Sequence, residues 1–250
     1  RMEHAYKLIG LLTTNDVPAL ILGERGVGKG LVATTIHFNS RRGEKPFVAV
    51  NCGALPGDAA ADEIFGRDAA APGTGGDALS AAKVETARGG TLFLDDIDAV
   101  SLPLQSRLVR LLADKTYQRI GGLAAMRADV RLIAASTEDL ADEVREGSFS
   151  ADLYDSLRVI TIHLPPLRER LEDIPELTTH FIRRANAELG KTIKGADPRV
   201  MQLLADYPWP GNVGELEHVI KRACVLARGD VITSDDLGDS LQDRTFPGPE

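Results

Sequence analysis

The stretch LGERGVGKGL, residues 22–31, constrains this chain more than any other. It follows the apolar run VPALIL (17–22), which reads as a buried strand, and it leads into a helix over about Lys29–Phe38. Gly23, Gly26, Gly28 and Lys29 fit the spacing G-x4-G-K between a strand and a helix. Glycines let backbone N–H groups curl around phosphate oxygens. The helix N-terminus adds partial positive charge and Lys29 adds a full one. The candidate nucleotide-binding residues are therefore Gly23, Glu24, Arg25, Gly26, Val27, Gly28, Lys29 and Gly30. A polar side chain is expected directly after the lysine, and Gly30 supplies none.

Four more apolar runs follow: FVAVN (47–51), TLFLDD (91–96), VRLIAAS (130–136) and VITIHL (159–164), with helical stretches between them. In 103–115 the residues Leu104, Leu108, Leu111 and Leu112 share one helical face. Strands alternating with helices predict an α/β fold, a parallel five-stranded sheet with helices on both sides. TLFLDD ends in acids, which predicts Asp95 beside the glycine loop, where it would hold Mg²⁺ through water.

After LPPLRER (164–170) the pattern changes. Asp173 and Pro175 open a helix whose Ile174, Leu177, Phe181, Ala185 and Leu189 line one side. Helices over roughly 197–206 and 212–228, and a short one from Ser234, follow with no strand signal beyond 165. The expected organisation is an α/β core over 1–170, a helical subdomain over 171–241 and a linker over 242–250. The segment DAAAPGTGGDALSAA (68–82) is small and featureless, and reads as a mobile loop.

Bulk properties narrow the partners. The net charge of −8 makes this piece a poor electrostatic match for DNA. No apolar run approaches the ~18 residues that span a membrane. The start at Arg1, with no secretory signal, reads as a fragment of something longer. Cys52 and Cys224 sit in apolar contexts as buried thiols, which fits a reducing cytoplasm. The five histidines show no metal-ligand spacing.

GERGVGKGLVATTIH, PFVAVNCGALP, GGTLFLDDID, LPPLRERLEDIP and YPWPGNVGELEHVIKRACVLARGDVIT occur in this order. Together they resemble the AAA+ central domain of NtrC-type bacterial enhancer-binding proteins, which activate sigma-54 RNA polymerase. The resemblance implies a P-loop AAA+ core, a C-terminal helical lid, ATP or ADP with Mg²⁺ as cofactors, and self-association as a dimer or ring. It implies DNA binding only through a separate domain outside this chain. It also gives Asp95 the metal, Asp96 the place of the acid that aims the attacking water, and Asn51 the role of a switch that holds that acid back.

The departures from the family pattern fall on chemistry. The family usually has Glu where this chain has Gly30, and Asp-Glu where it has Asp95-Asp96. Asp is one methylene shorter, and a misplacement of ~1 Å can cost ~100-fold. The sensor strand continues Ser136-Thr137 in place of Thr-Asn. The family reads F-R-x-D-L-Y-x-R-L with two arginines that reach a neighbouring subunit. Here FSADLYDSL places Ser150 and Ser156 there, and Arg158 is no substitute. Gly214 stands where the lid motif carries an arginine. One such arginine is worth roughly 10³–10⁵ in rate. At the polymerase contact, APGTGG (71–76) keeps Thr74 and Gly75 but has Gly73 in the aromatic position. Sigma-54 contact is therefore expected to be lost, with RNA polymerase itself left open as a partner. The expectation is a domain that binds nucleotide with little or no hydrolysis. A weak ATPase, a non-binding scaffold and a cyclic-dinucleotide-responsive oligomerisation domain stay open as alternatives.

Overall fold

The computed structural model describes residues 2–55, 58–68, 82–137 and 139–238. Residues 69–81, which carry Gly73, Thr74, Gly75 and nearly all of the expected mobile loop, lie outside the described residues, as does the expected linker over 242–250. The chain divides into two compact units, Arg1–Gly23 with Lys29–Leu164, and Glu24–Gly28 with Pro165–Glu250.

The first unit contains α1 (Met2–Thr14), β1 (Ala19–Leu22), α2 (Lys29–Phe38), β2 (Phe47–Asn51), α3 (Ala59–Phe65), α4 (Lys83–Thr86), β3 (Thr91–Asp95) and α5 (Leu102–Asp114). It continues with β4 (Thr116–Tyr117), β5 (Met126–Arg127), β6 (Arg131–Ser136), α6 (Leu140–Glu146), α7 (Ala151–Leu157) and β7 (Ile160–His163). Five strands form one parallel sheet in the order β2-β3-β6-β1-β7. The order follows from composition. β1 and β6 are buried at every residue and sit inside the sheet, because strands covered on both faces read as continuous apolar runs. β2 and β7 are only partly buried and take the edges.

Alternate residues feed the two faces. Leu20, Leu22, Leu92, Leu94, Leu132 and Ala134 join the cluster that includes Leu104 and Leu108 of α5 and Leu153 and Leu157 of α7. Ile21, Phe93 and Ile133 are buried on the other face, where α2 packs against β1, β3 and β6. Leu112 is only half-buried. The register sets Leu22 opposite Ser136 and Asn51 opposite Asp95, so the carboxyl ends of these strands are level. The strand order reverses beside β1, the position at which parallel α/β sheets bind ligands.

Three elements of this unit, α1, β4 and β5, are absent from the sequence reading. α1 buries Ala5, Ile9 and Leu12 before the first expected strand. β4 and β5 form a two-residue antiparallel pair. Beside it, Glu85 accepts from the Tyr117 hydroxyl at 2.8 Å and pairs with Arg119 at 2.8 Å.

The second unit holds α8 (Ile174–Leu189), β8 (Gly195–Ala196), α9 (Pro198–Asp206), α10 (Asn212–Leu226), β9 (Val231–Ile232) and α11 (Ser234–Leu237). The expectation of no strand beyond 165 is corrected here, because β8 and β9 pair in parallel. Two-residue segments are too short to leave a periodic trace. Ile174, Phe181 and Ala185 of α8 are buried as expected, but Leu189 is exposed, since the last turn before Gly190 (φ 65°) outruns the core. Trp209 is fully buried and its indole Nε1 donates to Leu204 O at 2.8 Å. α10 stops at Leu226, short of the expected 228. Lys191 Nζ donates to three carbonyls at that end, Cys224 O (2.7 Å), Val225 O (2.7 Å) and Ala227 O (3.1 Å). A cation there satisfies orphan carbonyls and faces the negative end of the helix dipole. Lys191→Met should destabilise this unit by about 1–2 kcal/mol in urea unfolding followed by Trp209 fluorescence, with Lys191→Arg closer to wild type.

Candidate functional site

The loop between β1 and α2 has the backbone that phosphate binding requires. Gly26 (φ 79°) and Gly28 (φ 106°) are in the left-handed region that favours glycine. A Cβ on Gly26 would stand 2.2 Å from Gly211 O, so only glycine fits, whereas a Cβ on Gly28 would meet nothing within 4 Å. Among the described residues, the amides of Gly26 and Gly28 have no acceptor. Gly23 N donates to Ser136 O at 3.2 Å, fixing the start of the loop to the neighbouring strand. Lys29 is buried at the head of α2, and its Nζ donates to Gly23 O at 2.9 Å. Open amides, an open surface at Gly28 and a lysine ammonium fit a chain of phosphates. A Cβ on Gly30 would meet only Phe93 Cε1 at 3.9 Å, so no steric reason excludes a side chain there.

Residues 24–28 are held by the helical unit to which they belong. Arg168 forms a fork on Glu24, Nη1 to Oε2 at 2.9 Å and Nη2 to Oε1 at 2.6 Å. Asn212 is fully buried at the head of α10 with φ 54°, a conformation asparagine tolerates better than most residues. Its Nδ2 donates to Glu24 Oε2 (3.1 Å) and Arg25 O (3.0 Å), and its Oδ1 accepts from Leu167 N (2.8 Å). Arg170 Nη2 donates to Val27 O at 3.1 Å, and Gly214 N donates to Gly26 O at 3.1 Å. Hydrogen bonding to Arg168 holds the Glu24 carboxyl below the usual carboxylate range. A lowered folded-state pKa contributes stability above the unfolded value, and that stability is lost as pH falls through the folded one. Asn212, Arg168 and Arg170 are loop-positioning residues that the sequence reading did not single out, although the blocks containing them were quoted.

In the sheet unit, Asp95 ends β3 and Asp96 follows in a left-handed conformation, φ 52°. Burial, then the Asp96 charge, raises the Asp95 carboxyl pKa, and the Lys29 charge opposes both. Asn51 Oδ1 accepts from Ala54 N at 2.9 Å. The side chains of Asn51 and Asp96 both approach Gly53. A Cβ there would lie 3.0 Å from Asp96 Oδ2 and 3.5 Å from Asn51 Oδ1. The structure thus brings Asn51, Asp95 and Asp96 together at the carboxyl ends of β2 and β3. No cluster of three or more potential metal ligands occurs among the described residues, so any metal there would depend on water and phosphate oxygens for most of its coordination.

The serines at the two expected arginine positions have local structural work. Ser150 is the N-cap of α7, its Oγ accepting from Leu153 N at 3.4 Å and its N–H donating to Gln105 Oε1 at 2.6 Å. Ser156 Oγ donates to Asp152 O at 2.7 Å. Arg158 pairs with Asp155 at 2.8 Å and lies over the Tyr154 ring. At Gly214 a Cβ would meet Gly26 Cα at 3.6 Å, an ordinary contact, so the position accommodates a Cβ. No helix among the described residues is long and apolar enough to cross a membrane.

The family model of the Sigma-54 interaction domain matches residues 1–163, and that of the AAA+ ATPase lid domain matches residues 168–249. The DNA-binding transcriptional regulator NtrC of Klebsiella pneumoniae is 42% identical over 246 residues, 98% of this chain and 52% of the relative. The regulatory protein AtoC of Escherichia coli K12 is 44% identical over 231 residues, 92% of this chain and 50% of the relative. Among solved structures, NtrX from Brucella abortus in complex with ATP superposes at TM-score 0.90 with 30% identity, covering 100% of this chain and 55% of that one. The same protein in complex with ADP gives 0.89. The chain spans about half the length of the curated relatives it matches.

Asn212→Gly keeps the left-handed backbone and removes only the side chain. It should destabilise the helical unit by roughly 2–3 kcal/mol, because hydrogen bonds are lost and the buried Leu167 amide is left without a partner. Thermal or urea unfolding measures the change, and a loss under about 0.5 kcal/mol would show that Asn212 does not anchor the loop.

Proposed function

The chain belongs to the Sigma-54 interaction domain family, and on that footing we propose that it is the nucleotide-binding AAA+ domain of a longer transcription regulator, holding ATP or ADP with little or no turnover. The observation that carries the reading is the loop itself: Gly26 and Gly28 have open amides, and Lys29 completes the G-x4-G-K stretch directly after them in sequence. In this reading Gly26, Gly28 and Lys29 take the phosphates, Asp95 holds Mg²⁺ through water, Asp96 aims water weakly and Asn51 acts on Asp96. The Brucella NtrX complexes with ATP and ADP support the choice of ligand. A bound Mg²⁺–nucleotide would supply the reactive phosphoanhydride. The residues of this chain would position it.

Weak turnover follows from charge. Phosphoryl transfer needs cations on the leaving phosphoryl group and an aimed nucleophile. Ser150, Ser156 and Gly214 stand where the family pattern carries arginines, and Asp96 is short by a methylene. The capping role of Ser150 supports a chain adapted to its serine, whereas the packing at Gly214 does not itself require glycine. We place the nucleotide-binding core at 1–170 and the lid at 171–241. The partners we assign are further copies of the chain, DNA through a domain outside this segment, and RNA polymerase without a productive sigma-54 contact.

Calorimetry with ATP and Mg²⁺ tests the binding reading. Wild type should bind, and Lys29→Ala should abolish binding. No heat and no thermal shift at millimolar ATP, where even a weak ligand stabilises measurably, would replace this reading with a non-binding scaffold.

A further inference from the structure

We propose that His37 and Arg131 form an acid-sensitive latch: neutral His37 fastens the last turn of α2 to the amino ends of the sheet, and its protonation beside the Arg131 guanidinium loosens the α/β unit. The inference does not depend on the nucleotide reading, because Thr91 and Arg131 open β3 and β6 at the end of the strands away from Asp95 and Ser136. His37 is fully buried, whereas His4, His163, His180 and His218 are exposed. Its Nε2 lies 3.0 Å from Lys45 O and its Nδ1 lies 2.9 Å from the Thr91 hydroxyl. A carbonyl only accepts, so Nε2 carries the proton and Nδ1 accepts from Thr91. Both ring nitrogens are satisfied in this neutral state. The ring also packs against Phe38 and Phe47, with centroids 5.0 and 5.2 Å away. One imidazole thus ties α2 to the segment before β2 and to the first residue of β3.

A second proton has no good place on this ring. Protonated Nδ1 would have to donate to the Thr91 oxygen, and the hydroxyl proton of the fully buried Thr91 would lose its acceptor. The new charge would also meet a cation already in place. Thr91 and Arg131 are register partners on adjacent strands, so their side chains share a face. Arg131 is 2% exposed, and its Nε, Nη1 and Nη2 have no hydrogen-bond partner among the described residues. The other charged groups at this end come from three loops. Arg42, between α2 and β2, takes Asp16 through Nε at 2.9 Å and Asp129 through Nη2 at 3.0 Å. Its Nη1 donates to Gly90 O at 3.3 Å, which also accepts from Arg131 N at 3.0 Å. Lys45 presents its carbonyl. Both carboxylates are thus engaged by Arg42, and neither is left to balance a charged His37. Burial, joined by the Arg131 charge and opposed by the Lys45 hydrogen bond, holds the His37 pKa below the ordinary histidine value. A lowered folded-state pKa gives stability that is complete above the unfolded value, ~6.5, and is lost as pH falls through the folded one.

Histidine-ring NMR and native-state hydrogen exchange on the whole chain test the latch. Wild type, His37→Gln, Arg131→Met and Arg131→Lys are compared between about pH 7 and pH 5. In wild type the His37 ring should bind a proton more weakly than free histidine, or stay neutral until the α/β unit opens. Protection factors over α2 and β3, which report opening of this unit, should fall severalfold further in wild type than in the non-titrating His37→Gln. Arg131→Met should shift the His37 titration to higher pH, whereas Arg131→Lys, which keeps a cation, should leave it near wild type. If His37→Gln does not fold, the ring titration of the other three chains decides alone. A His37 proton affinity at or above that of free histidine, or an equal loss of protection in wild type and His37→Gln, would overturn the latch. A depressed titration that Arg131→Met leaves unmoved would overturn the part assigned to Arg131.

Discussion

The site depends on one buried amide. Asn212 sits in a left-handed backbone conformation at the head of α10 and spends both ends of its side chain on main-chain or loop partners. That arrangement fixes where Glu24 and Arg25 lie, and it determines which residues can neighbour them. Gly26 must be glycine because Gly211 O stands where its Cβ would be, and its carbonyl is taken by the Gly214 amide. The glycine-rich loop is divided between the two units. Gly23 and Lys29 are tied to the sheet, while Glu24–Gly28 are tied to the helices. Any substitution that relaxes Asn212 acts on the loop without touching a ligand.

Under the proposed function, the chain's charges suit holding a nucleotide better than consuming it. The loop retains its cations, and the strand ends retain Asp95. Burial and the adjacent Asp96 work against the Asp95 charge, and Lys29 favours it. Such a carboxylate gains from a nearby divalent cation. Ser150 and Ser156 stand where the family pattern carries arginines, and they cap or brace α7.

Much of the fold was legible because its signals are local. A strand, a glycine loop and a helix within 22 residues (17–38) leave little choice of topology, and the order of apolar runs gave the parallel sheet. The short pairings β4–β5 and β8–β9 were illegible, since two residues have no period. α1 went unread although Ala5, Ile9 and Leu12 share a face. Leu189 matched a helical stripe and yet lies beyond the core that would bury it. In the site, the glycines and Lys29 were readable by spacing alone. Asn212 and Arg168 were not, because their partners lie 188 and 144 residues away and no local rule connects them. The blocks WPGNV and LPPLRER carried the only hint, as runs of residues with no obvious work in a helix.

The most direct test of this account is the phosphate-release rate of wild type over a wide range of protein concentration, with Lys29→Ala as the control. Ring ATPases that rely on arginines from a neighbour speed up as they assemble, so concentration separates assembled catalysis from background. The account predicts a rate at the level of the control throughout, in samples that calorimetry shows to be loaded with nucleotide. A rate well above the control that rises with protein concentration would contradict it, and would mean that other residues place charge on the terminal phosphate.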